Sequence, residues 1–597
     1  MMRARRRVAS GLVLGAVLLW GGAPSLGAQA ATCDAVEAAT CIDTALAIPM
    51  RDGVVLRADV WRPASDGPFP VLLFRTPYGR SDGAEASGVT RAAVARGYAV
   101  VHQDVRGRYG SEGEFDAYRN EGKDGYDTIE WAARQPWSTG AVGTVGLSYP
   151  AAVQWLAARE RPPALRAMVP AMTYAVPEQF WYAGGVWDGS WLDWTWFNIA
   201  PDLRRRLGVP GPATDSAAAE AASRGLTSAR RWRPLLTLPD FQGIAPWYYE
   251  WMRHPPRDPW WAWAALPADF RDVQAAVLNV SGWFDEPYGP AGAVTNFVKL
   301  TESRGGPAGT RLILGPWQHG VDAIQGGIAG KRDFGPAAAR DYAALVLDWM
   351  DAHLKQLPAA ATSPVEVFVM GANRWRAFPR WPVPGLRPDT LRLAGRADAR
   401  SIGALRREAG GPPSAIASDP AHPLTDPFRG AYGAHDYAAL APRPGLVAFE
   451  TAPFTYPVEI IGEVTAEFAV QASVPDFDLW LQLYDVAPDG TAWNLASPGT
   501  GLVRASYRNG GPARELVPEG ELVRLRISQL YTANRFAPGH RLRIVLSTAF
   551  FPLFSVNPQT GALETESAET RAGVIRIRHD AEAGSWVVLP VVPDEGP

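Results

Sequence analysis

The sequence predicts an α/β protein whose parallel sheet is interrupted by a helical insert and followed by an all-β domain. Three observations predict it. Short apolar runs alternate with amphipathic segments over residues 69–174 and again over 273–360, as parallel strands joined by crossover helices do. Between them, residues 175–272 carry tryptophans at helical spacing and no good strand runs. After residue 361, alternating or apolar runs are split by Pro, Gly, Asp and Asn, which reads as a β-sandwich with jelly roll as its subtype. The expected organisation is therefore an α/β domain in two parts, 32–174 and 273–360, a helical cap at 175–272, and a C-terminal sandwich at 361–597.

Residues 1–31 stand apart. Arg3-Ala-Arg5-Arg6-Arg7 is a basic start, residues 8–20 are apolar, and Ala28-Gln29-Ala30 is a small-residue cleavage pattern. This reads as a cleavable signal peptide, and the mature protein is expected to be secreted or periplasmic. Two cysteines, Cys33 and Cys41, lie just past that point. In an oxidising compartment they would close one small disulfide loop. The chain has 597 residues, 47% of them hydrophobic and 20% charged, with a formal net charge of −3. Those are the proportions of an ordinary globular protein, and they give no reason to expect nucleic acid or a membrane as partner.

In chain order, residues 48–63 read as two strands joined at Arg51-Asp52-Gly53, a hairpin turn. Residues 69–75 form a buried strand that runs into Thr76-Pro77-Tyr78-Gly79. Residues 92–96 are helical, and 98–103 are a second buried strand ending in Asp104-Val-Arg106-Gly107. An amphipathic helix covers 121–135. A strand over 141–145 then breaks at Gly146-Leu-Ser148-Tyr149 and continues as a helix. In the insert, Trp181, Trp187, Trp191, Trp194, Trp196, Trp247 and Trp251 are either a pocket lining or a small core built from tryptophan. Strands resume over 275–281, ending at Gly282-Trp283-Phe284-Asp285, and over 311–315, ending at Pro316-Trp317-Gln318-His319. A helix over 338–355 closes this part. Residues 365–370 open the β region, where 458–472, 479–486, 501–507, 521–529, 541–547, 574–578 and 585–589 read as strands. Residues 387–444 are polar and Pro/Gly-rich and are expected to be mostly loop.

A serine at a strand–turn–helix corner has the form of a nucleophile elbow, which lifts the hydroxyl clear of the sheet in front of a helix N-terminus. Pro150 stands where the second glycine of G-x-S-x-G would be, and proline in a first helical turn is tolerated. Ser148, Asp285 and His319 each follow a strand end, in the order Ser…Asp…His of the α/β-hydrolase fold. The chemistry needs all three. A hydroxyl becomes nucleophilic when an imidazole takes its proton, and a carboxylate fixes the imidazole tautomer. No His/Cys/Asp/Glu cluster has metal-ligand spacing, so neither metal nor other cofactor is expected.

With these residues in place, the chain resembles the CocE/NonD family of α/β-hydrolases, which includes bacterial cocaine esterases, α-amino-acid ester hydrolases and S15-type X-Pro dipeptidyl peptidases. The likeness is carried by Pro49-Met-Arg-Asp-Gly53, Arg75-Thr-Pro-Tyr-Gly79, Gln103-Asp-Val-Arg-Gly107, Ser111-Glu-Gly-Glu-Phe115 and Asp124-Gly-Tyr-Asp-Thr-Ile-Glu-Trp131. It continues through Gln135-Pro-Trp137, Gly146-Leu-Ser-Tyr149, Gly282-Trp-Phe-Asp285, Gly315-Pro-Trp-Gln-His319 and Phe368-Val-Met-Gly371. The resemblance implies Ser148 as nucleophile, His319 as base and Asp285 as its orienting carboxylate. It further implies an oxyanion hole in which the Tyr78 hydroxyl joins the backbone N–H of Tyr149. One departure is Ala151, where family members often carry glycine. Asp104 and Arg106 read as structural.

Trp187, Asp188, Trp191 and Glu286 are candidate substrate contacts; the resemblance to amino-acid ester hydrolases implies a carboxylate cluster for a free amine, for which Asp188, Asp193 and Glu286 are the candidates by location. The expected reaction is hydrolysis of an ester or amide through an acyl-enzyme, on a small molecule with an apolar or aromatic acyl group. An X-Pro dipeptidyl peptidase acting on short peptides is the alternative. A surface-binding protein with a degenerate hydrolase domain is disfavoured by the intact Ser/Asp/His set. The resemblance also implies a homo-oligomer.

Overall fold

The computed structural model describes residues 34–37, 39–81, 88–285, 288–358, 362–429 and 431–593. The signal-peptide segment, Cys33 and Glu286 lie outside these. The first sheet has 11 strands. Its members are β1 (Asp34–Glu37), β2 (Thr40–Pro49), β3 (Val55–Pro63), β4 (Phe69–Thr76), β5 (Ala99–Asp104), β6 (Ser138–Leu147) and β7 (Leu165–Ala171), followed by β8 (Ala276–Phe284), β9 (Thr310–Gln318), β10 (Val365–Val369) and β11 (Arg374–Phe378). Their order is β1-β2-β3-β5-β4-β6-β7-β8-β9-β10-β11. From β5 to β10 neighbouring strands are parallel, and β1–β3 and β11 add antiparallel edges.

The parallel strands are apolar along their length because both faces are covered. Every residue of β4, β5 and β8 is buried. Helices α1 (Val89–Ala95), α2 (Glu121–Ala133), α3 (Tyr149–Arg159), α8 (Ala291–Arg304) and α9 (Tyr342–Leu354) supply that cover. Between β7 and β8 lies the cap, made of α4 (Ser190–Trp194), a π-helical turn Thr195–Ile199, α5 (Ala200–Leu207), α6 (Asp215–Arg230), α7 (Pro246–Arg253) and short 3₁₀ turns. Strand β7 was not among the sequence-based expectations. It is the strand that sits between the elbow strand β6 and β8.

The C-terminal part is all β, a 12-stranded hydrogen-bonded sheet. Strands Val458–Ala472 and Arg541–Ser547 have the bounds read from sequence. Residues 387–444 are mostly loop, as expected, and carry the strands Arg387–Ala394, Gly403–Arg406 and Ser414–Ser418. The strand expected at 365–370 is present as β10. Strand β10 pairs parallel with β9 and so extends the first sheet. Its Val367 and Phe368 pack in the same apolar cluster as Val464, Phe468 and Leu481 of the second sheet, so one core bridges both. Among the described residues, no helix is long and apolar enough to cross a membrane.

Within the C-terminal domain Arg504 is fully buried and clamps two carboxylates. Its Nε donates to Asp478 Oδ1 at 2.8 Å and its Nη1 to Glu564 Oε2 at 2.9 Å. Burial pushes the Asp478 carboxyl up to about 6 even with this partner. Arg504→Met would strand two buried carboxylates, at a cost of about 3–5 kcal/mol for a broken buried pair. Guanidinium-chloride unfolding should show that loss as a lower midpoint with unchanged slope.

Candidate active site

The parallel register sets the site. Thr76 pairs with Asp104, Leu147 with Ala171, Ala171 with Val280, and Phe284 with Gln318. The C-terminal ends of β4, β6, β7, β8 and β9 therefore share one edge, where ligands of such sheets bind. Tyr78, Ser148, Asp285 and His319 follow these ends directly.

Ser148 is the N-cap of α3 with φ 68° and ψ −128°, a conformation costing a non-glycine residue about 1–3 kcal/mol. The surroundings over-determine it. Its N–H donates to the Ala171 carbonyl at 3.0 Å, and its carbonyl accepts from Ala151 at 2.9 Å and Ala152 at 3.1 Å. Gly146 is required because a Cβ there would lie 2.4 Å from Pro150 Cβ. Pro150 thus replaces the second glycine of the usual motif and makes the first one obligatory. Gln154, which sequence reading passed over, stitches the corner together. Its Nε2 reaches Pro150 O at 3.1 Å and Val169 O at 3.2 Å, and its Oε1 accepts from Thr144 at 3.1 Å. As the first residue of α3, Tyr149 has a backbone N–H without an intrahelical acceptor.

Asp285 is fully buried at the end of β8. One carboxylate oxygen is 2.6 Å from His319 Nδ1, and the other accepts from the Ser281 hydroxyl at 2.8 Å. A neutral imidazole that donates from Nδ1 keeps its lone pair on Nε2, ready to take a proton. Ser281 was also missed, although a serine four residues before the carboxylate was visible. Gly282 and Gly315 let β8 and β9 close in around Trp317. A Cβ on Gly282 would lie 2.1 Å from the Trp317 carbonyl, and one on Gly315 would lie 2.3 Å from its ring.

Tyr78 is half-buried, and its oxygen accepts a hydrogen bond from Trp194 Nε1 at 3.0 Å. Its loop is tied down by Asp104, which accepts from Arg80 N at 2.7 Å and Gly110 N at 3.2 Å. Arg106 pairs with Asp124 at 2.7 Å and Asp52 at 2.8 Å. Both residues hold structure, as expected.

The candidate substrate contacts fare differently. Trp187 and Trp191 are 2% and 5% exposed and sit inside the cap's aromatic core. The Trp191 indole donates to the Phe180 carbonyl at 3.0 Å. Asp188 is buried, accepting from Ser190 N at 2.8 Å, and Asp193 is held by Arg230 with Nε at 3.1 Å from its Oδ1. Cys41 is disulfide-bonded. Among the described residues, no group of three or more His, Cys, Asp or Glu could hold a metal ion.

A strained serine and a carboxylate-bound histidine on the same edge of an α/β-hydrolase sheet define the class: this is a serine hydrolase. The comparisons agree and go further. The X-Pro dipeptidyl-peptidase (S15 family) model matches residues 52–321, and the X-Pro dipeptidyl-peptidase C-terminal non-catalytic domain matches residues 359–588. Cocaine esterase of Rhodococcus sp. (strain MB1 Bresler) is 32% identical over 574 residues, covering 91% of this chain and 97% of that protein. Among solved structures, an α-amino acid ester hydrolase matches with a TM-score of 0.78 at 23% identity, covering 96% of this chain and 99% of its own. An aminopeptidase from the marine sediment archaeon Thaumarchaeota archaeon matches with a TM-score of 0.77 at 22% identity, over 93% and 96% of the two chains. The chain belongs to the CocE/NonD family of serine hydrolases.

Gly146→Ala should force the elbow open against Pro150. Overpacking of this kind costs about 1–3 kcal/mol. Thermal unfolding should register it, together with slower labelling of Ser148 by a fluorophosphonate probe.

Proposed function

We propose that this protein is an exported hydrolase that cleaves an ester or amide acyl bond, with an apolar or aromatic acyl group, through an acyl-enzyme on Ser148. The observation that carries the reading is the 2.6 Å contact between His319 Nδ1 and buried Asp285, on the strand edge that bears the strained Ser148. Ser148 Oγ attacks the acyl carbon and gives its proton to His319 Nε2, while Asp285 stabilises the imidazolium. The displaced electron pair becomes an oxyanion that hydrogen-bonds to the Tyr78 hydroxyl and the Tyr149 N–H. As the intermediate collapses, His319 returns the proton to the leaving alcohol or amine. Water, deprotonated by the same imidazole, then releases the acid. The signal-like residues 1–31 support export.

Two observations favour an ester or amide without a free amine over an N-terminal dipeptide. Asp193 is neutralised by Arg230, and Asp188 is buried with its Oδ1 on Ser190 N, so neither is offered to an ammonium group. The likeness to cocaine esterase, by its name an esterase, points the same way. The half-buried rings of Trp194 in the cap and Tyr288 in the loop after β8 suit an apolar acyl group.

Ser148→Ala should lower turnover of p-nitrophenyl benzoate by about 10⁴ or more, leaving background binding catalysis. Phenylmethylsulfonyl fluoride should label Ser148 in the wild type. A variant that keeps full activity would sink the mechanism. In a panel, p-nitrophenyl benzoate should be turned over with a kcat/KM at least about tenfold above that of Ala-Pro-p-nitroanilide, the scale set by one pocket contact. The reverse order would establish the dipeptidyl-peptidase reading instead.

A further inference from the structure

We infer that Trp194 is a positioning residue for the oxyanion donor, acting through its indole hydrogen bond to the Tyr78 oxygen. The inference rests on the reading of Tyr78 as that donor. A phenol has one hydrogen to give and two in-plane orientations for it, so it is a good oxyanion donor only when something fixes which way that hydrogen points. Trp194 Nε1 lies 3.0 Å from the Tyr78 oxygen. An indole N–H can only donate. It therefore occupies a lone pair of Tyr78, and the phenol hydrogen must turn elsewhere. Accepting a bond also polarises the phenol, so its own O–H donates more strongly.

The Trp194 ring is held so that this bond is made in one geometry. It stacks on Tyr149, the residue after the nucleophile, at 6.1 Å and 10°. It meets Trp191 edge-on at 5.3 Å and 85°, and Trp247 at 5.8 Å and 67°. One side chain thus touches both residues read as oxyanion donors. The backbone behind it is irregular. Helix α4 ends at Trp194 and the next five residues, Thr195–Ile199, form a π-helical turn, a feature that often marks functional sites. That turn is anchored to the α/β domain by Arg108, whose guanidinium donates to Ile199 O at 2.9 Å and Asn198 O at 3.0 Å. Arg206 adds a bond to Ser111 O at 2.9 Å. The indole is aimed at Tyr78 from a segment fixed to the same domain that carries Tyr78.

A merely structural tryptophan would fill space and do no more, and the two roles separate kinetically. Trp194→Phe keeps a ring and removes the N–H. With p-nitrophenyl acetate as probe, its kcat should fall about three- to tenfold, the worth of one hydrogen bond, with KM within about twofold and the thermal midpoint unchanged. Tyr78→Phe should lose about 10²–10³. The double variant should be no slower than Tyr78→Phe within about twofold, because the indole has nothing left to position. If the Trp194→Phe loss multiplies in the Tyr78→Phe background, or falls on KM alone, the inference is overturned. A slow Tyr78→Phe beside a wild-type Trp194→Phe overturns this inference alone. A wild-type Tyr78→Phe overturns both it and the oxyanion role of Tyr78. Should the phenylalanine variant be unstable, Trp194→Leu must show the same non-additivity.

Discussion

Glu121 places a carboxylate in the interior between the strand that leads to Tyr78 and the helix that starts at Tyr149. Its Oε1 accepts from the Tyr149 hydroxyl at 2.8 Å, and its Oε2 lies 2.9 Å from Arg75 Nη1. The same Tyr149 oxygen accepts from Tyr118 N at 2.9 Å. Arg75 also donates to Gln103 Oε1 at 2.7 Å and to the Glu121 carbonyl at 3.0 Å. Burial pushes the Glu121 carboxyl up, and the Arg75 guanidinium pulls against that. Burying such a pair costs several kcal/mol per ion, and the attraction repays it only in good geometry. The network therefore tolerates one arrangement of β4, α2 and the elbow. It also accounts for two motif residues that never touch the chemistry: Arg75 and Gln103, together with Glu121, fix where Tyr78 and Ser148 stand.

The cap is fixed in the same manner from the other side. Gly189 N donates to Leu553 O at 2.9 Å, Arg504 N to Gly184 O at 2.8 Å, and Leu235 N to Glu564 O at 3.0 Å. A cap stitched by main-chain bonds to the C-terminal domain, and by Arg108 to the α/β domain, is a wall of the site. The C-terminal domain also reaches the Asp285 loop, where Ser497 N donates to Trp283 O at 3.1 Å.

The reactive edge was legible because its signals are local. A strand run that ends in a turn carrying Ser, Asp or His can be read in one window, and chain order then ranks the candidates. What stayed hidden is non-local. An apolar run such as 365–369 says strand but not which sheet, and here β9 claims it. The strand Arg387–Ala394 alternates around Pro388, Asp389 and Arg392, so only its pairing with Trp586–Val591 shows that it is one. Glu121 looked like an ordinary first-turn acid of an amphipathic helix. Its burial depends on Arg75 and Tyr149, residues far away in sequence.

The tryptophans of the cap illustrate the same limit in the opposite direction. A segment with short helices and only a two-residue hairpin for a sheet has little regular structure from which to build a core. Large rings solve that with few residues. Trp181 alone packs against Tyr118, Tyr174, Phe180, Trp191, Trp251, Trp261 and Trp263. Aromatic abundance is thus mostly the cost of making a rigid cap from a small insert. A few of the cap's rings stay half-buried at the edge of that core. Trp194 is one of these, and its hydrogen bond to Tyr78 makes rigidity and chemistry properties of the same side chain.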